Sequence, residues 1–230
     1  DDESILPKVG LVDVPSDVMI PEGESKTLSC GKRIFYGRGT NGLVYQQLLV
    51  QLPKLSDAQL QMLPFYTSCL TELGCGERSY PEAQAWQASV SGGIRAYTSV
   101  RGAIEDEQKV TGYFTLSGKA LVHNAANLAE LMNTTFTQLR FDEHGKIREL
   151  MAQKLARKQQ SITGSGHGLA MMAASSHYSP AALLADRQQG LQSITHLKQL
   201  DARLQDPKEL QQVAQQLAEI HQLLLQAPRH

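Results

Sequence analysis

From Leu63 to Arg101 the chain reads LPFYTSCLTELGCGERSYPEAQAWQASVSGGIRAYTSVR. Phe65, Tyr66, Cys69, Leu70 and Leu73 recur at helical spacing, and Gly74 is a residue that commonly stops a helix. Ser79-Tyr80-Pro81-Glu82 has the form of a capping box with an early proline, so a second helix is expected from Tyr80 to about Ser89. Gly92-Gly93 then releases the chain into an alternating strand, Ile94 to Arg101. One face of that strand carries Ile94, Ala96, Thr98 and Val100; the other carries Arg95, Tyr97, Ser99 and Arg101.

On the N-terminal side, Ser56 is placed to cap a short helix beginning at Asp57, which Pro64 restarts. Before it, Leu43 to Leu52 reads as a strand with Val44, Leu48, Val50 and Leu52 on one face and Gln47 and Gln51 on the other. Lys26 to Tyr36 reads as another strand, and the glycine-rich run Gly37–Gly42 suggests a hairpin joining the two. Residues 1–24, with Pro7, Pro15 and Pro21, read as an extended lead-in over the domain surface.

On the C-terminal side, Glu107 to Leu116 is expected to be a strand, after which helices take over. They run from Asn124 to Phe136, from an Asp142 cap to Ser161, from Ser179-Pro180 onward, and from Asp206 to Gln226. In the last, Leu210, Val213, Leu217, Ile220 and Leu224 form a stripe free to pack on a neighbouring domain. Strands first and helices later suit an α+β fold, a two-layer domain with a mainly antiparallel sheet packed by helices. The expected organisation is a lead-in over 1–24, an α+β domain over 25–200 and a C-terminal helix over 201–230 that leads to a next domain.

The chain has 230 residues, 22 basic and 23 acidic, with 41% hydrophobic content. A near-neutral balance gives no electrostatic argument for nucleic acid or an anionic membrane. No apolar run approaches the roughly 18 residues that cross a bilayer. The start, DDESILPKVG, has no initiator Met and no leader pattern, and reads as an internal cut point. Cys30, Cys69 and Cys75 are an odd set, which suits reduced thiols in a cytoplasmic or organelle-matrix compartment. Cys69 lies on the apolar helix face, as a small buried hydrophobe would.

Gly37-Arg38-Gly39-Thr40-Asn41-Gly42 matches the dinucleotide pattern G-x-G-x-x-G. That pattern works when a helix follows, because the helix N-terminus holds the pyrophosphate, whereas here the following segment alternates like a strand. Gly164-Ser165-Gly166-His167-Gly168 lacks the Lys-Ser/Thr ending of a phosphate loop and reads as a flexible break, or as a mobile segment touching substrate. A zinc peptidase needs two imidazoles a helical turn apart with a glutamate beside them. The seven histidines here are nowhere closer than nine residues, and neither H-E-x-x-H nor H-x-x-E-H occurs. No metal ligand and no catalytic residue is therefore assigned. The face of Arg95, Tyr97, Ser99 and Arg101 is either a solvated outer surface or a surface whose guanidiniums and phenol hold peptide carbonyls and carboxylates.

The ordered set Thr40-Asn41-Gly42-Leu43-Val44-Tyr45, Leu63-Pro64-Phe65, Leu70-Thr71-Glu72-Leu73-Gly74, Ser79-Tyr80 and Ser91-Gly92-Gly93-Ile94 resembles the presequence-protease branch of the pitrilysin/insulinase-type zinc metallopeptidases. Leu6-Pro7-Lys8-Val9 and Asp13-Val14-Pro15 resemble the beginning of that branch's third domain. The resemblance implies four similar α+β domains enclosing a chamber that degrades unfolded peptides, with zinc held by the first domain. It implies that this chain is a non-catalytic, chamber-forming domain, inactive alone. Its partners would be the other domains of one polypeptide and unfolded peptides. It further implies that Arg95, Tyr97, Ser99 and Arg101 contact peptide. Another role consistent with the family is an inactive scaffold or partner subunit of a processing complex.

Overall fold

The computed structural model describes residues 6–29 and 31–229; Asp1–Ile5, Cys30 and His230 lie outside the described residues. The chain forms two compact units, residues 1–39 and residues 40–230.

In the first unit, a single 3-10 turn at Leu11–Asp13 precedes an antiparallel ribbon of β1 (Glu24–Leu28) and β2 (Gly31–Phe35). Glu24 faces Phe35 and Leu28 faces Gly31. The single strand expected over Lys26 to Tyr36 is thus two strands, and β2 pairs with β1 rather than with the strand after the glycine run. Gly31 has φ 148°, a conformation open to glycine that lets the ribbon close where no Asn-Gly or Pro-Gly signal marks a turn.

The second unit begins with Thr40-Asn41-Gly42-Leu43. Asn41 (φ 52°) and Gly42 (φ 79°) both have positive φ, and the Leu43 N–H donates to the Thr40 carbonyl at 3.1 Å. This tight turn sends the chain directly into β3 (Leu43–Gln51), not into a helix. A dinucleotide loop is excluded on that ground. The remaining strands are β4 (Ile94–Gly102) and β5 (Val110–Leu121), in the order β3-β5-β4, all antiparallel.

The helices are α1 (Asp57–Leu70), α2 (Tyr80–Val90), α3 (Ala125–Thr137), α4 (His144–Gly164), α5 (Gly166–Ser175), α6 (Pro180–Gln189), α7 (Leu191–Arg203) and α8 (Pro207–Gln226). The fold is α+β. Helices α1 and α3 pack against the sheet. Val50, Phe114 and Leu116 from the sheet join Phe65, Tyr66, Leu70, Leu128, Leu131 and Phe136 in one core.

Other features also depart from the sequence expectations. Helix α1 runs unbroken through Pro64. Proline removes the N–H that would bond the Leu60 carbonyl, and the Gln188 amide donates to that carbonyl instead, at 2.7 Å. The helix stops at Leu70, before Gly74. The helix break expected over Gly164–Gly168 is present but only one residue long: Ser165 alone separates α4 from α5, and both His167 and His177 are exposed. Finally, the α8 stripe is not left for a neighbour. Leu210, Val213, Leu217, Ile220 and Leu224 are buried in this chain's own core, with α8 against α1 and α4. Beyond α8, the Pro228 carbonyl accepts from the Gln51 N–H at 3.1 Å, returning the chain to the β3 edge.

Gly74 holds the α1–α2 connection in place by close approach. A Cβ there would sit 2.4 Å from the Arg78 carbonyl oxygen. The Glu143 carboxylate accepts from the Gly74 N–H at 2.6 Å and from the Tyr80 N–H at 2.7 Å, tying this connection to the start of α4. Charge-assisted bonds to partly buried amides contribute about 1.5–3 kcal/mol each. Glu143→Ala is expected to lower unfolding stability by about 3 kcal/mol in urea titration. A loss under about 1 kcal/mol would show that the carboxylate is not a clamp.

Candidate peptide-contacting face

The sheet has two chemically different faces because its register aligns every second residue of three strands. On the inner face, Val50 and Thr98 flank Phe114, Leu48 and Ala96 flank Leu116, and Gln46 and Ile94 flank Gly118. Turned the other way are Tyr45 beside Lys119, then Gln47, Ser117 and Arg95 in a row, then Leu49, Thr115 and Tyr97, then Gln51, Tyr113 and Ser99. Arg101 continues this face opposite Thr111.

Arg95, Tyr97, Ser99 and Arg101 therefore share one face, as the alternation of β4 predicts. Arg95 and Arg101 are exposed, Ser99 is half-buried, and Tyr97 is 40% exposed. Tyr45 is 60% exposed on the far strand. Among the ion pairs of the described residues, none involves Arg95, Arg101 or Lys119. The outer-face positions of the three strands contain no acid; acids begin at Glu105-Asp106-Glu107, in the β4–β5 connection. The face is a cationic, phenol-bearing platform with donors available to anionic or carbonyl groups.

Lys119, Tyr113 and Thr111 are absent from the site expected from sequence. The strand expected to end at Leu116 in fact runs to Leu121. Gly118 interrupts the apolar pattern there because no side chain fits: a Cβ would meet Leu128 Cδ1 at 2.9 Å and Ile94 Cγ2 at 3.0 Å. Glycine in a strand with helix α3 pressed on it is the signal that could have extended the strand.

The buried titratable groups are structural. Tyr66 and His221 meet inside the core, hydroxyl to Nδ1 at 2.8 Å, with the rings of Phe136 and Phe141 edge-on to the imidazole. Burial pushes the His221 pKa down to about 4 and the Tyr66 phenol up. Lys154 donates to the Pro64 carbonyl at 2.8 Å and to Ser68 Oγ at 3.1 Å, and burial lowers its pKa. Cys69 and Cys75 are buried free thiols whose pKa values burial raises. Among the described residues no group of three or more His, Cys, Asp or Glu side chains could hold a metal ion, so the donor set does not fit zinc. No helix among the described residues is long and apolar enough to cross a membrane.

Residues 1–200 match the family described as Peptidase M16-C associated. Presequence protease 1, chloroplastic/mitochondrial, of Arabidopsis thaliana is 24% identical over 223 residues, covering 96% of this chain and 20% of that protein. The mitochondrial presequence protease of Xenopus tropicalis is 22% identical over 227 residues, covering 97% of this chain and 21% of that protein. The chain thus spans about a fifth of the length of these relatives. Two solved structures share the fold, each with TM-score 0.50 over 90% of this chain. They are the periplasmic protease PqqL from Escherichia coli, at 17% identity and 20% of its own chain, and a peptidase M16 inactive domain from Pseudomonas fluorescens, at 15% identity and 52% of its own chain.

Proposed function

The chain belongs to the Peptidase M16-C associated family, and on that premise we propose that it is a non-catalytic, peptide-enclosing domain of a zinc-dependent peptidase that hydrolyses unfolded peptides. The observation that carries this reading is the outer sheet face, where Arg95, Tyr97, Ser99 and Arg101 stand with Lys119 and Tyr45 and no acid among them. Such a face holds an extended peptide by hydrogen bonds to its carbonyls, by charge attraction to its carboxylates and by contact with the phenol rings. The zinc would belong to another domain of the same polypeptide. The presequence proteases that match, about five times longer, support that division of labour. Their mitochondrial and chloroplast names, together with the free thiols Cys69 and Cys75, favour an organelle matrix or another reducing compartment.

The test is peptide binding by fluorescence anisotropy. The Tyr97→Ala/Arg101→Gln double variant is expected to bind an unstructured peptide about tenfold more weakly, roughly 1.4 kcal/mol. Its circular dichroism should be unchanged, because both side chains project outward. Equal binding by the variant and the unaltered chain would contradict the reading.

A further inference from the structure

Where β5 ends, it borders a cleft of about 390 Å³ formed with the start of β3 and the C-terminal end of α2. Leu43, Val90, Ala120 and Leu121 give it apolar walls, and Ala88 and Ser89 line its rim. The carbonyls of Ala88 and Ser89 lose their ordinary helical donors. The Gly92 N–H donates to the Lys119 carbonyl at 2.8 Å, and the Gly93 N–H to Ser91 Oγ at 3.1 Å.

Lys119 also lines the cleft. Its side chain runs across Gly92 toward the β4 side: a Cβ on Gly92 would lie 3.1 Å from Lys119 Cε. Arg95, opposite Ser117, is the diagonal neighbour of Lys119 on the same face. Lys119, which lines the cleft, and Arg95, its diagonal neighbour in the sheet register, are both without a carboxylate partner among the described ion pairs.

We propose that this end of the sheet binds the C-terminal residue of a peptide. Its carboxylate would lie at Arg95 and Lys119, its apolar side chain in the cleft, and its N–H on the Ala88 or Ser89 carbonyl. The proposal rests on the reading that the outer face contacts peptide, and narrows it to one end of that face. An internal Asp or Glu does not satisfy the arrangement, because its carboxylate and its side chain are the same group. A neighbouring apolar residue does not supply the missing part, since successive side chains of an extended peptide point to opposite sides. A C-terminal residue alone carries a carboxylate and a separate apolar side chain on one Cα.

The experiment uses the 230-residue chain and an unstructured peptide ending in Leu, labelled at its N-terminus, as free acid and as C-terminal amide. Anisotropy at low ionic strength is expected to show the free acid binding about tenfold more tightly. Arg95→Gln and Lys119→Gln should each remove most of that difference, weakening the free acid several-fold more than the amide. Ser89→Trp, which fills the cleft from its exposed rim, should weaken the free acid. Equal affinity of acid and amide, or a preference that survives both charge variants, overturns the proposal. If acid and amide bind alike and Tyr97→Ala weakens both, the peptide-contacting face stands and the C-terminal site falls. Failure of both peptides to bind overturns the site and the reading beneath it.

Discussion

A chain ending at Gln205 is expected to lose cooperative unfolding altogether. The missing α8 supplies Leu210, Val213, Leu217, Ile220 and Leu224 to the core, and four of these have 0% exposure. Burying each such side chain contributes roughly 1.5–3 kcal/mol, so together they contribute on the order of 10 kcal/mol. That is comparable to the whole stability of an ordinary domain, about 5–15 kcal/mol. Removing α8 would also leave Tyr66 without its His221 partner and uncover α1 and α4. Calorimetry and near-ultraviolet circular dichroism should show a broad transition and lost tertiary signal. A sharp transition near that of the full chain would mean that α8 is an appendage, as its amphipathic pattern alone permits.

Acid is expected to weaken the second unit before carboxylate titration does. The His221 pKa is about 4 in the fold, against about 6.5 in an unfolded chain. The folded state therefore binds fewer protons than the unfolded state between these values, and stability falls as pH falls. The contribution is complete above about pH 6.5 and is lost toward pH 4, for a total of about 3 kcal/mol. The cause is burial: the imidazole lies among Phe136, Phe141 and Tyr66, where its charged form is poorly solvated. Denaturant titration at about pH 7 and about pH 4.5 measures the loss. His221→Leu should flatten the profile over that window at some cost in stability at neutral pH. An unchanged profile in that variant would assign the acid sensitivity to other groups.

The α+β class and the alternation of β4 are legible in the chain because local signals agree with the tertiary structure. Ser79 and Glu82 meet, with the Ser79 N–H donating to the Glu82 carboxylate at 2.8 Å, and Ile94 and Arg95 fall on opposite faces as period two demands. The misread elements are those decided by distant partners. Pro64 looks like a helix start until Gln188, far along the chain, satisfies Leu60. The strand expected to end at Leu116 continues through Gly118, over which Leu128 and Ile94 close. The α8 stripe has the same pattern whether it faces its own core or a neighbour; only packing on α1 and α4 separates the two. For the candidate site, β4 gives its own residues, but Lys119 and Tyr45 join them only through the register with β5 and β3.

The most direct test of the central claim is hydrolysis of an unstructured peptide in the presence of zinc, by this chain alone and by this chain combined with the other domains of the proposed peptidase. The account predicts no hydrolysis by the chain alone and hydrolysis by the assembled mixture, reduced when Tyr97 and Arg101 are replaced. Zinc-dependent hydrolysis by the purified chain alone would contradict it, as would an assembled mixture whose activity is indifferent to this face.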